Sequence, residues 1–269
     1  MMKDDLLVFR RIHINQRSAG NLWHFWKTHE ASNQRRDRCL WMATQCYELA
    51  LALRFIHTVY GIHGHAKAES ILWLEWDDIL VMSDFGLNRL RADIFGGINS
   101  KKVDPSFSTI RNIYRSATYC APKSDIRGSR ISPTSDIYSL GCVFLEFVTW
   151  YLEGWQSVND DFPDRRLEED VHGFVSDTFF RIEGNPGDPG TPVIKPEVKE
   201  WIEKLKRNSK CSQYLVDFLD LIQSEMLHSD SQHRIKSPRL VNKLHVFAET
   251  CRHDSSYYMD SVSSSTYLD

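Results

Sequence analysis

From Asn21 onward the apolar residues recur with spacings that divide the chain into helices, two short strands and long stretches without a period. Residues 21–30 (NLWHFWKTHE) read as a short amphipathic helix, and a charged break follows at 31–38. Cys39, Ala43, Cys46, Ala50 and Leu53 then fall at steps of four, three, four and three, one face of a long helix that runs to about Tyr60. ILWLEW and DILVMSD predict two strands joined by a tight connection at Asp77 and Asp78. Residues 88–133 are rich in Ser, Arg, Asn and Gly and carry no sustained period, as long functional or irregular loops do. Residues 135–152 are apolar nearly all round, which predicts a helix buried on most sides. Its charged Glu146 and its length keep it short of a membrane span. Residues 154–196 are expected to be irregular, because Pro and Gly in EGNPGDPGTP interrupt any period. Three further helices are predicted at 196–207, 212–227 and 238–251, the first with Pro at its start. The Ser- and Tyr-rich end DSSYYMDSVSSSTYLD has no periodicity and is expected to be disordered.

Composition narrows the function classes without choosing one. A hydrophobic fraction of 42%, with 14 Phe, 10 Tyr and 8 Trp, supports a sizeable core and excludes a wholly disordered chain. With 33 basic and 36 acidic residues the net charge is −3, so no general electrostatic argument points to nucleic acid or an anionic membrane. Cys39, Cys46, Cys120, Cys142, Cys211 and Cys251 are scattered and include no C-x-x-C pair, a pattern expected of a reduced, intracellular protein, cytoplasmic or nuclear. The apolar run Leu6–Phe9 is too short for the core of a signal peptide. The eleven histidines show no zinc-type spacing, and Trp23 and Trp26 read as packing residues of the first helix.

The chemistry-bearing signal is a set of short motifs in a fixed order. They are His63-Gly64-His65-Ala66-Lys67-Ala68-Glu69-Ser70, Ser83-Asp84-Phe85-Gly86, Tyr119-Cys120-Ala121-Pro122, Asp136-Ile137-Tyr138-Ser139-Leu140-Gly141, and residues 230–234. Each is weak alone, but the ordered set resembles the C-terminal lobe of a eukaryotic protein kinase of the Ser/Thr type over about residues 21–250. The implied fold is mainly α, a helical bundle with a small β-hairpin at the catalytic face. The implied division is a vestigial segment at 1–20, the kinase-like lobe at 21–252 and a disordered tail at 253–269. A β-rich N-terminal lobe is expected to be absent, since the 20 residues before Asn21 contain no Gly-x-Gly.

The resemblance assigns roles residue by residue, and several are altered. His65 stands where the family has the Asp that accepts the substrate hydroxyl proton, and Ser70 where it has an Asn that holds magnesium. Imidazole can accept a proton near neutral pH but supplies no negative charge beside a metal cluster, so His65 reads as a replacement in a site that has lost its chemistry. Lys67 matches the loop lysine that steadies the transferred phosphate, and Asp84 the metal-holding Asp of Asp-Phe-Gly. With that one carboxylate left, ATP and Mg²⁺ are expected to bind weakly or not at all. Gly64 replaces the Arg that reads a phosphorylated activation segment, here Asp84–Pro122, in which Ser116 sits at the usual Thr position. Lys123 replaces the Glu that pairs with a buried arginine, matched by Arg234, so that junction is expected to be loosened or Arg234 to have another acceptor. Asp136 matches the residue that hydrogen-bonds the catalytic-loop backbone; it also fits a helix N-cap.

Three functions remain open on the sequence. One is a truncated pseudokinase that acts by binding a protein partner through the uncovered upper face of the lobe, with neither nucleic acid nor membrane as its target. Another is an ATP-dependent Ser/Thr protein kinase whose N-terminal lobe lies outside the given chain. The last is a small-molecule phosphotransferase of the aminoglycoside or choline kinase kind, in which His-Gly also opens the catalytic loop.

Overall fold

A computed structural model describes residues 20–30, 35–83, 117–122, 132–169, 175–184 and 190–259. Two long helices organise them. The first, α2 (Arg35–Val59), turns Cys39, Met42, Ala43, Cys46, Leu49, Ala50, Leu53 and Ile56 inward, which is the predicted stripe widened by Met42 and Leu49 and continued by one turn to Ile56. The second, α3 (Pro133–Glu153), starts with Ser132 and Ser135 closing a capping box and Pro133 at its first position. It is buried from Ile137 to Leu152 save for the half-buried Ser139, so the other helices pack round it.

Ahead of α2, α1 (Leu22–Thr28) is capped by Asn21, whose side-chain oxygen accepts from His24 N at 2.8 Å. Leu22, Phe25 and Trp26 are its buried face, so the packing role expected of Trp26 is what the structure shows. Trp23 packs edge-on against Trp155. The Trp150 indole reaches across from α3 and donates to the carbonyls of Trp26 and His29 at 3.0 and 3.1 Å, tying the end of α1 to the central helix.

The predicted hairpin is present as β2 (Ile71–Leu74) and β3 (Ile79–Met82), antiparallel with Ile71 opposite Met82 and Leu74 opposite Ile79. Ile71, Trp73, Leu80 and Met82 point inward and their neighbours outward, as a half-buried sheet requires. Asp78 takes the left-handed conformation (φ 48°) that closes the turn; it accepts from Trp73 Nε1 at 3.0 Å and from Trp41 Nε1 through its carbonyl at 2.6 Å. A third strand, β1 (Gly20–Asn21), pairs with Leu72 and Trp73 and was too short to show in the pattern.

The expectation of an irregular stretch at 154–196 is corrected. A π turn (Ser157–Asp161) runs into α4 (Phe162–Arg166), followed by two hairpins, β4 (Glu168–Glu169) with β5 (Val175–Ser176) and β6 (Phe180–Glu183) with β7 (Thr191–Ile194). The Pro and Gly residues do not prevent pairing. Pro192 lies on one strand of a two-stranded ribbon, where an open edge tolerates it, and Gly190 takes φ +67° beside Ile182 Cγ2, 2.2 Å from where a Cβ would sit. Phe162, Phe179 and Trp201 lock the insertion to α5 (Pro196–Lys206).

The lobe closes with α6 (Gln213–Leu221), which continues as a π turn (Ile222–Met226), then α7 (Ser237–His253) along α2. The disordered tail expected from residue 253 is corrected at its start. Ser256–Met259 form a helical turn, α8, in which Tyr257 donates to Asp217 at 2.7 Å and meets the Tyr214 ring. Gly141 sits where α3 meets the π turn; a Cβ there would lie 2.9 Å from Met226 Cβ and 3.2 Å from Leu227 Cδ2. Gly141→Ala is therefore expected to lower stability by about 1–3 kcal/mol through overpacking, despite alanine's better helix propensity. Urea denaturation checks this, and a stabilised variant would show that the helices can part.

Candidate functional site

Among the described residues, those of loop 63–70, Tyr119 and Arg234 meet the first turns of α3. Asp136, in the first turn of that helix, is 2% exposed, and its carboxylate turns away from the helix end. It accepts from His63 N at 2.8 Å and Gly64 N at 2.7 Å, and faces His57 Nε2 at 3.0 Å. The cap of α3 is Ser132, so Asp136 serves as a strut for loop 63–70. His57, near the end of α2, spans from Asp136 to Ser237 Oγ at the start of α7 (Nδ1···Oγ 3.3 Å). One carboxylate thus fastens the loop, α2 and α3 together. Sequence reasoning did not single out His57, a lone histidine at a helix end.

Loop 63–70 is folded on itself. Ser70 Oγ donates towards His65 O (2.7 Å) and Lys67 O (2.9 Å) and accepts from Lys67 N (3.1 Å). It lies on the 3₁₀ turn Ala68–Ser70 and is 1% exposed. His65 is half-buried, and its backbone N donates to His63 Nδ1 at 3.2 Å; Lys67 is also half-buried. The Ser70 carbonyl holds Ser83 twice, from N at 2.8 Å and from Oγ at 2.9 Å. Ser83 is therefore held directly beside the loop. Asp84, Ser116 and Lys123 lie outside the described residues.

Arg234 is 2% exposed and donates to three backbone carbonyls: Nη1 to Thr134 O at 2.7 Å, Nε and Nη2 to His228 O at 3.0 and 2.8 Å, and Nη2 to Ser229 O at 3.4 Å. Its guanidinium also lies over the Tyr138 ring. Of the two outcomes expected for Arg234, the second is present: it has other acceptors, three backbone carbonyls. Burial lowers its pKa to about 10.

A second buried polar group borders the described end of the activation segment, the 3₁₀ turn Ala117–Tyr119. Tyr119 donates to Glu146 Oε2 at 2.7 Å, Arg166 Nη2 lies 3.4 Å from Glu146 Oε1, and Thr118 donates to Asp177 Oδ1 at 2.6 Å. Ser139 on α3 donates to Tyr119 O at 2.7 Å. Glu146 entered the sequence reading only as the charge that argued against a membrane span, and Arg166 not at all.

A protein kinase domain model matches residues 18–246. The chain belongs to the protein kinase family. This kinase domain is 31% identical over 171 residues to a probable serine/threonine-protein kinase of Dictyostelium discoideum, which covers 60% of the chain and 20% of that protein. It is 33% identical over 129 residues to an Aurora kinase of Debaryomyces hansenii (48% of the chain, 27% of the relative). It is 25% identical over 198 residues to a cell division control protein 2 homolog D of Antirrhinum majus (72% and 55%). The chain thus spans from about a fifth to about half of the length of these relatives. The match favours the protein-kinase branch over small-molecule phosphotransferases, and among the described residues no helix is long and apolar enough to cross a membrane.

Protein kinases use ATP with Mg²⁺, and the described loop does not fit that metal. An asparagine carries a donor and an acceptor on separate atoms, so it can bond the loop with its NH₂ and offer its oxygen outward. Serine has one oxygen, and that of Ser70 is 1% exposed, with its single O–H shared between the carbonyls of His65 and Lys67 and one bond accepted from Lys67 N, so burial turns it away from a bound metal.

Proposed function

We propose that this kinase domain is a pseudokinase, a C-terminal kinase lobe with little or no phosphotransfer that acts by binding a protein partner. The observation that carries this reading is the commitment of Ser70 Oγ to His65 O, Lys67 O and Lys67 N. His65 adds to it, since a neutral imidazole cannot replace the charge of a carboxylate beside a cationic metal. The scaffold round the loop is fully bonded through Asp136, so what is altered is the chemistry and not the support. Trp76, 89% exposed at the tip of the hairpin that follows the loop, supports the partner half of the reading. An intracellular setting accords with six free cysteines.

Thermal shift with ATP, with and without Mg²⁺, tests the reading. The chain is expected to show no shift that needs Mg²⁺, and Ser70→Asn is expected to gain one, because its amide can satisfy the loop and still present an oxygen. Radioactive phosphate transfer to a generic protein substrate that is lost in Asp84→Ala would overturn the proposal. It would favour the other reading, an active Ser/Thr kinase, which the 20–55% coverage of the relatives keeps in view.

A further inference from the structure

The insertion that carries α4 and the two hairpins ends in the buried polar group beside Tyr119, and the charges of that group do not balance. Arg166 is 1% exposed, sandwiched between the rings of Phe162 and Phe179 at 4.1 and 4.2 Å. It faces Glu146 at 3.4 Å and Asp177 Oδ2 at 3.6 Å, and its Nε donates to Asp177 O at 3.0 Å. Lys195, 2% exposed, donates to Arg166 O at 2.6 Å and to Ser176 O at 3.2 Å, and its charge meets Glu168 at 3.5 Å. With Arg181, which lies 4.0 Å from Glu168 and 2.6 Å from Glu183, three cations face four carboxylates, Glu146, Asp177, Glu168 and Glu183, and Glu69 of loop 63–70 adds negative potential. Asp177 and Glu168 are 30% and 40% exposed and keep part of their hydration, whereas Glu146 is 2% exposed. The carboxyl for which ionisation costs most is Glu146.

The same group holds the end of the activation segment. Thr118 is tied to Asp177, Tyr119 to Glu146 by its hydroxyl and to Ser139 by its carbonyl. We propose that this cluster is a proton-operated latch on residues 118–122: with Glu146 neutral the insertion clamps the segment against α3, and loss of that proton loosens the clamp. The neutral carboxyl still offers an oxygen to the Tyr119 hydroxyl, and Arg166 keeps Asp177 as its counter-ion. Ionised Glu146, itself 2% exposed, adds a second carboxylate charge beside Arg166 on the side away from the water that reaches Asp177 and Glu168.

The sign follows from linkage. Burial raises the Glu146 pKa to about 7, against the ordinary 4.5 of a carboxyl that opening would return to solvent. The closed form therefore binds more protons between these values, so closure is strongest at the acid end and weakens as the pH rises through about 7. Between pH 6 and pH 8 the closing equilibrium is expected to fall about tenfold.

Hydrogen–deuterium exchange of the full chain, corrected for the intrinsic pH dependence of exchange, reads this directly on peptides covering 118–122. The wild type is expected to lose about tenfold in protection from pH 6 to pH 8. Glu146→Gln, which is neutral at every pH and nearly the same shape, is expected to show a flat profile. Should that variant fail to fold, Asp177→Asn serves instead: it removes one carboxylate, leaves Arg166 to Glu146, and is expected to move the midpoint to lower pH. A flat wild-type profile, or an unmoved midpoint in Asp177→Asn, overturns the latch. No nucleotide enters the measurement, so its failure would be separate from any failure of the pseudokinase reading.

Discussion

Asp136→Ala is expected to lower the free energy of unfolding by about 3–6 kcal/mol, since it strands two buried backbone donors and one imidazole at about 1–3 kcal/mol for each unsatisfied group. The donors are His63 N and Gly64 N, and the imidazole is that of His57. His57 keeps Ser237 Oγ on its other ring nitrogen, so the larger part of the cost falls on the two amides. Asp136→Asn should recover part of the loss, because one amide oxygen can still accept while its NH₂ points at a donor. Urea denaturation gives the comparison. A cost under about 1 kcal/mol for alanine would mean that the loop is held by Ser70 and the hairpin alone, and that Asp136 is not its strut.

The other large effect is expected at Trp150. Its side chain is 1% exposed and lies among Phe25, Trp26 and Phe147, with the indole N–H shared between Trp26 O and His29 O. Trp150→Ala removes a fully buried indole at the contact of α1 with α3 and is expected to cost about 3–5 kcal/mol. Trp150→Phe keeps most of the apolar area and loses the two hydrogen bonds, so about 1–3 kcal/mol should remain. Tm and urea midpoints of the two variants separate packing from hydrogen bonding. Equal losses would place the whole contribution in the indole N–H.

Both effects concern parts of the fold that were legible in different ways. The stripe on α2 and the all-apolar α3 came from spacing alone, because a helix that packs on one face or on all faces leaves that record in every turn. Loop 63–70 was legible only because its motif sits in order with four others; no period marks it. The insertion was not legible. Its strands are two to four residues long, too short for alternation to show, and Pro192 lies on an open edge where it is tolerated. Arg166 could not be told from the other charges of DDFPDRRLEED, since what sets it apart is a partner 20 residues back on α3 and two rings that enclose it. Ser70 is the opposite case: the motif order marked its position as that of an altered metal ligand, while its bonds to the loop exist only in three dimensions.

The six cysteines are all free and all buried. Burial pushes the thiols of Cys39, Cys46 and Cys142 far above their ordinary range, and those of Cys211 and Cys251 up to about 12. Thiolate is the reactive form, so while the lobe is closed these five side chains are both out of reach and in the wrong protonation state for alkylation or exchange. Any modification must then pass through an opening of the lobe, and its rate carries the population of that opened form. Cys39 and Cys46 on α2, Cys142 on α3 and Cys251 on α7 report on three separate helices. The chain thus contains its own set of markers for which helix parts from the core first.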